Sequence, residues 1–479
     1  MVVAFIFIIG LFFFYQKRTP DLQRYDLILA WLIRLAFSLL FVFVYYTYYP
    51  NGATQSDIGS CMHDSQILAQ VFYQSPKAYV ECLFGLESQQ TINQYLSATT
   101  RWSSPFTFFI DDTKNVIRIN SLLFFLSKGS VYVHLMIISF FSMLGIRELF
   151  LTFHQRIWIN KRVFWYALVA LPSLAFWSSS LLKEPFLLIG LALFIRATFG
   201  DLSLKGRIWR WVVGGIFMIL FKPYVFLCLL SALAIVFIAR LVNKKALLQA
   251  SFFVVFAALV LVVFVPMFHQ QPMRFLTRKQ FDFNNMAKGG VHVLTDSCFY
   301  YFTPEQKKYL HIVDSTVYLK QPIVAQKEQF GRVAPFESLV LSPNKNGWPL
   351  YFQAEKSKSF INLQPLNNSP SQLISTAPIA FLNATFRPYF WDNGGLLKWA
   401  SIIETIVLIG FFSLSLLKKI ERTGSDKQTI TTLLWFSIVL LLLIGWITPV
   451  IGAIVRYRIP AYLALFLIAA TGKKIKKLQ

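Results

Sequence analysis

The feature that most limits this chain is a series of long apolar runs cut by short basic connections. An α-helix needs about 20 mostly apolar residues to cross roughly 30 Å of hydrocarbon. Runs near that length recur at 2–15, 27–49, 133–153, 163–178, 185–199, 208–221, 223–240, 247–267, 396–417, 430–451 and 457–472. They predict an all-α polytopic membrane bundle of about eleven transmembrane helices. Composition agrees: 56% of residues are hydrophobic, 49 are Phe and only 14% are charged, against roughly a quarter charged in soluble domains. The first run lacks the basic start and small-residue cleavage site of a signal peptide, so it reads as an uncleaved helix.

A formal net charge of +24 would suggest nucleic acid in a soluble protein. Here the cations sit in short connections, as cytoplasmic loops require, and no nucleic-acid motif surrounds them. Lys17, Arg18 and Arg24 begin one series, continued by Arg156, Lys161 and Arg162, then Lys205, Arg207 and Arg210. Arg240, Lys244, Lys245, Lys418, Lys419, Arg422 and Lys427 extend it to a basic tail. About twenty cations thus face about four on the other side, which puts the N-terminus outside and the C-terminus in the cytoplasm.

That topology divides the chain into a two-helix segment (1–49), a first extracytoplasmic loop (50–132), helices three to eight (133–267), an extracytoplasmic domain (268–395), and helices nine to eleven with the basic tail (396–479). The stretches VYLKQPIV (317–324) and ESLVLS (337–342) read as short strands, so the 268–395 domain is expected to be mixed α/β. RINSLLFFLSKGSVYV (118–133) reads as an amphipathic or re-entrant helix. Cys61 and Cys82 share the first loop, where a disulfide and two buried thiols are both open readings. The cysteine spacing offers no metal site.

The cations that break the charge rule are Lys183, Lys222, Arg456 and Arg458 on the outer side, with Arg387 just ahead of the ninth span. An anion at the outer interface would explain such a gathering, and a phosphate suits arginine forks. Asp57 and Asp64 follow the second span, with His63 beside them. Either acid is placed to act as a general base or to hold a divalent metal next to a phosphate, though no metal is required. Glu184 and Glu404 are the supporting acids, Glu404 expected to position Arg456 or Arg458 from within its span. Arg34, about two turns into its helix from the cytoplasm, could snorkel, or with Glu404 line a transport path. Asp111 and Asp112 read as a turn, and His134 as a packed helix residue. Tyr300, Tyr301, Trp348, Tyr351 and Phe352 read as domain core ahead of sugar-stacking groups.

The stretches PSLAFWSSSLLKE (172–184), FRPYFWDNGGLLKWASIIE (386–404) and RYRIP (456–460) resemble polytopic membrane proteins of bacterial surface-polysaccharide clusters. The layout is similar to the GT-C superfamily of membrane glycosyltransferases. That resemblance implies a bacterial inner-membrane enzyme, a polyprenyl-phosphate-linked sugar donor, and a glycan or lipid acceptor. Asp57 or Asp64 would be the base and the outer-face cations would hold the phosphate. In that superfamily the acid-bearing loop follows the first span and carries a closer acidic pair; here it follows the second. The alternatives are a polymerase or ligase of lipid-linked oligosaccharides, and a flippase or transporter. There is no P-loop, GxGxxG, HExxH or GxSxG pattern.

Overall fold

The computed structural model describes residues 2–48, 57–102, 111–295, 298–329, 337–418 and 420–474. Unbroken apolar runs satisfy their backbone polar groups internally by forming helices, and most of the described chain is helical. Six helices are long and apolar enough to cross a membrane: Arg24–Thr47, Val131–Phe153, Pro223–Val242, Leu247–Phe264, Leu396–Leu417 and Gly424–Ile447. Ile451–Tyr457 and Ile459–Ala470, bent by 49°, make a seventh if taken as one span. The remaining apolar runs form other helices. Val2–Gln16 and Glu184–Phe199 are short, and Leu204–Phe221 carries Lys205, Arg207 and Arg210 near its start. The run at 163–178 is split into Lys161–Ala170 and Pro172–Ser178, because a proline has no N–H to continue the ladder.

The chain packs as two units. The first comprises residues 1–231, 408–433 and 463–479, and the second residues 232–407 and 434–462. In the first unit, the loop after Arg24–Thr47 is itself helical. Ser75 caps Pro76–Phe84, Ser88 caps Gln89–Tyr95, and Asp111 caps Asp112–Ser127 through the N–H groups of Thr113 and Lys114. Each short oxygen-bearing side chain satisfies donors that a helix start leaves open. These helices bury Leu68, Tyr79, Trp102, Val116 and Ile117 in one core with Phe186 and Phe221.

The same unit holds an antiparallel helical hairpin, Glu184–Phe199 and Leu204–Phe221, whose backbones meet at Gly190 and Gly214. A Cβ on Gly214 would stand 2.8 Å from the Gly190 carbonyl oxygen and 2.9 Å from the Phe194 nitrogen. Small residues allow this approach, and helices in lipid depend on such close packing.

The second unit contains a seven-stranded antiparallel sheet of β1 (Val291–Thr295), β2 (Cys298–Phe302), β3 (Leu310–Val313), β4 (Thr316–Leu319), β5 (Ile323–Gln329), β6 (Glu337–Leu341) and β7 (Trp348–Gln353). Their order is β3-β4-β7-β1-β2-β5-β6. Alternation puts Val291, Val293, Cys298, Tyr300, Phe302, Ile323 and Ala325 into one core. On the other face Tyr301 meets Phe281 of the helix Pro266–Lys288, with ring centroids 6.1 Å apart. Asn285 of that helix lies 3.2 Å from the Nε2 atom of buried His292. Arg278 pairs with Glu328, which also accepts from the Tyr301 hydroxyl. The two strand-like stretches expected from sequence fall within β4, β5 and β6; the other four strands were not foreseen.

Two outcomes follow. Gly214→Val is expected to destabilise the chain by about 3 kcal/mol, at the upper end of overpacking costs because backbone atoms rather than side-chain ends must yield. Thermal unfolding of the full chain in detergent reads this, and an unchanged midpoint refutes it. Burial holds the His292 imidazole at about 4, below the ordinary value of about 6.5. The unfolded chain therefore binds the extra proton first, so stability is complete above pH about 6.5 and is lost as pH falls toward 4, on the order of 3 kcal/mol in all. Amide exchange in β1 and β2, corrected for intrinsic rate, should accelerate on acidification in the native chain and much less in His292→Gln.

Candidate functional site

The sequence-selected cations divide between the two units. Lys183 and Lys222 belong to the first, and Arg387, Arg456 and Arg458 to the second. In the first unit, Lys183 lies 2.7 Å from Asp112 at the start of the helix capped by Asp111. The next residue, Glu184, lies 3.3 Å from Lys222, which terminates Leu204–Phe221 ahead of Pro223. The two ion pairs differ in setting. Glu184 and Lys222 are buried, beside the aromatic rings of Phe186 and Phe221. Asp112 keeps 41% of its side chain exposed. A buried pair is worth little net stability, yet losing one partner leaves a costly charge. An open pair exchanges partners cheaply. The tandem therefore has a fixed half and an adaptable half.

Sequence reading passed over a polar cluster in this unit. Arg118 lies 3.4 Å from Glu87 and donates to the Cys82 carbonyl and to Asn115 at 2.7 and 2.8 Å. Trp102 donates to Glu87 at 2.8 Å, and the Lys114 and Arg118 charges sit 5.5 and 5.6 Å from its ring centroid. Burial pulls both cations below their ordinary values, while Glu87 and Asp111 hold them up. The available signal was Lys114 and Arg118 at helical i, i+4 spacing on one helix.

Asp64 is placed for structure. Its carboxylate is fully buried and accepts from the backbone N–H groups of Thr100 and Arg101 at 2.9 and 2.8 Å and from the Thr100 hydroxyl. His63 adds a contact at 3.1 Å. An acid whose lone pairs are engaged this fully ties the 99–101 turn to its own helix and leaves little room for an acceptor hydroxyl. Asp57 opens the helix Asp57–Gln74, and its side chain lies outside the described residues. Cys61 and Cys82 are both buried free thiols, with burial pushing the Cys82 thiol up to about 12.

In the second unit Arg458 is almost completely buried. It donates to the carbonyls of Ala384, Thr385 and Arg387 at 3.3, 3.1 and 2.5 Å. It also donates to the Ser401 and Thr405 hydroxyls. The carbonyls close the helix Pro370–Phe386, so Arg458 caps the negative end of that helix. Arg387 pairs with Asp392 at 2.5 Å and donates to Asn383. Arg456 is half-buried. Glu404 is buried on the same helix as Ser401 and Thr405, the two hydroxyl partners of Arg458. The expected set of cations lacking protein counter-charges is thus corrected: Lys183, Lys222 and Arg387 each have a carboxylate, and Arg458 has a carbonyl cage.

Arg34 also departs from expectation. It does not snorkel; it is wholly buried and donates to the Val169 carbonyl and the hydroxyls of Ser142 and Ser178. His134 is packed as expected, with Ser127 at 2.7 Å and Asn120 at 3.2 Å taking its two nitrogens. Of the aromatic residues in the sheet, Tyr300 and Tyr301 are buried, whereas Tyr351 and Phe352 are exposed. Among the described residues no group of three His, Cys, Asp or Glu side chains is arranged to hold a metal ion.

Lys222→Met should cost about 3–5 kcal/mol by removing the cation that faces the buried Glu184 carboxylate, and adding Glu184→Gln should recover most of it. Unfolding midpoints of the native chain, the single variant and the double variant test this; equal losses in both variants would contradict it. No family model, curated protein or solved structure matches this chain.

Proposed function

We propose that this chain is a multi-pass protein of a bacterial inner membrane, with about eleven helical crossings once the shorter apolar helices are included. Its N-terminus is outside and its C-terminus in the cytoplasm. Its function is to transfer a sugar from a polyprenyl-phosphate carrier, at the extracytoplasmic face, to a glycan or lipid acceptor. The reading follows the GT-C resemblance of the sequence and belongs to cell-surface polysaccharide biosynthesis.

The observation that carries it is the open Lys183–Asp112 pair set beside the buried Lys222–Glu184 pair. Asp112 takes the place in the reaction that the sequence offered to Asp57 or Asp64, because Asp112 is half open and Asp64 is saturated, while the Asp57 side chain lies outside the described residues. The acceptor hydroxyl gives its proton to an Asp112 carboxylate oxygen as its oxygen attacks the anomeric carbon. The bond from that carbon to the phosphate oxygen breaks, and the electron pair stays on the phosphate. Lys183, released from Asp112, stabilises the added charge, a role worth most where it is stronger in the transition state than in the ground state. Lys222 and Glu184 hold the helix start that presents Lys183.

Arg34, fully buried and with no carboxylate partner among the described residues, supports a second reading, a flippase for the same class of lipid-linked glycan, since such a charge inside a bundle marks a polar path.

The experiment uses the full chain in nanodiscs with a polyprenyl-phosphate sugar donor and mixed acceptors. Native protein is expected to consume donor, and Asp112→Asn to lose about 100-fold or more of that rate, as removal of a general base does. Equal turnover by Asp112→Asn removes the mechanism. Lipid-linked glycan crossing without sugar transfer, abolished by Arg34→Gln, favours the second reading.

A further inference from the structure

We infer that the first unit carries a phosphate-ester binding site where Arg147, Arg196 and Arg210 converge on Glu148, separate from the Lys183 region. Glu148 lies 3.3 Å from Arg147, 3.0 Å from Arg196 and 3.1 Å from Arg210. Three guanidinium groups thus share one carboxylate, leaving two positive charges in excess. All four side chains are at most 16% exposed. Like charges this close and this dry repel one another, and one carboxylate cannot offset three.

The hydrogen bonds are incomplete as well. Arg147 spends its other donors on the Thr19 hydroxyl and the Arg18 carbonyl, at 2.6 and 2.8 Å. Arg210 donates to the Gly206 carbonyl. Arg196 differs: its Nε atom is near Glu148 without aiming an N–H at it. Both Nε and Nη1 are buried with no hydrogen-bond partner among the described residues. A buried donor left unmade costs about 1–3 kcal/mol, more for a charged group. A phosphate ester supplies acceptors for the open donors and negative charge against the excess, and arginine forks match its oxygens.

The surroundings indicate where such a phosphate comes from. Trp209 and Trp211 flank Arg210 in sequence and are exposed, and Arg210 stacks on the Trp209 ring at 4.3 Å. Exposed tryptophans on an apolar helix collect at the headgroup level of a bilayer. Basic pockets between helices at that level take anionic lipid headgroups. The favoured source is therefore an anionic phospholipid, and a soluble pyrophosphate has the same chemistry.

The test uses full-length protein in detergent, with two probes. Native mass spectrometry measures binding of phosphatidylglycerol against phosphatidylcholine, and thermal unfolding measures protection by inorganic pyrophosphate. Native protein is expected to prefer phosphatidylglycerol at least about 10-fold, with Arg196→Gln losing that preference. Protection by pyrophosphate, absent in Arg196→Gln, with no lipid preference would assign the same site to a soluble ligand. Glu148→Gln guards against a variant that merely unfolds. Removing the competing carboxylate should tighten whichever probe binds by about 10-fold, whereas a purely structural cluster gains nothing. No difference between native protein and Arg196→Gln with either probe, or no gain in Glu148→Gln, overturns the site.

Discussion

The contact of Gly190 with Gly214 sets the register of the helical hairpin, and both charged ends of that hairpin follow from it. With the two backbones touching at that point, antiparallel helices bring Glu184 opposite Lys222 at one end and Arg196 beside Arg210 at the other. One steric condition therefore assembles a buried ion pair and an arginine cluster about two turns away on either side. Neither arrangement needs the two partners to lie near each other in sequence. A helix shifted by one residue would rotate each charge by about 100° and lose both.

The same logic of obligatory partners runs through the rest of the structure. Several buried charges are met by groups brought to them by the fold: Glu87 faces Arg118, Asp392 faces Arg387, and backbone carbonyls surround Arg458. Asp64 is answered by backbone N–H groups. These are the arrangements that low-dielectric surroundings demand, since a lone charge there is expensive. Arg196 is where the rule is met least well.

The helical architecture was legible in part: of about eleven expected spans, six helices, or seven with the bent pair, are long and apolar enough to cross a membrane among the described residues. The sheet was partly legible: strand-like stretches marked β4, β5 and β6, while polar His292 and Thr295 interrupt the pattern of β1, where His292 is buried. The charged residues were legible as exceptions, but their partners were not. Pairing Lys183 with Asp112, or Lys222 with Glu184, depends on helix register and on which turn meets which, and no spacing rule carries that information. Asp111 and Asp112 looked alike in sequence. Capping geometry separates them, giving Asp111 the helix start and leaving Asp112 open. Asp64 was singled out for its position and proved to be engaged by a turn 36 residues further on.

The shortness of the hairpin has a mechanical corollary. Glu184–Phe199 has 16 residues, so it rises about 24 Å at 1.5 Å per residue, several ångströms less than a typical hydrocarbon slab. On its companion helix the exposed apolar residues run from Leu204 to Ile219, interleaved at the start with Lys205, Arg207 and Arg210. A bilayer meeting this flank must thin to match it, at a cost of a fraction of a kcal/mol per ångström. Thinned lipid draws the two headgroup layers toward each other beside the protein. Any lipid with a bulky polar head would find its shortest crossing there.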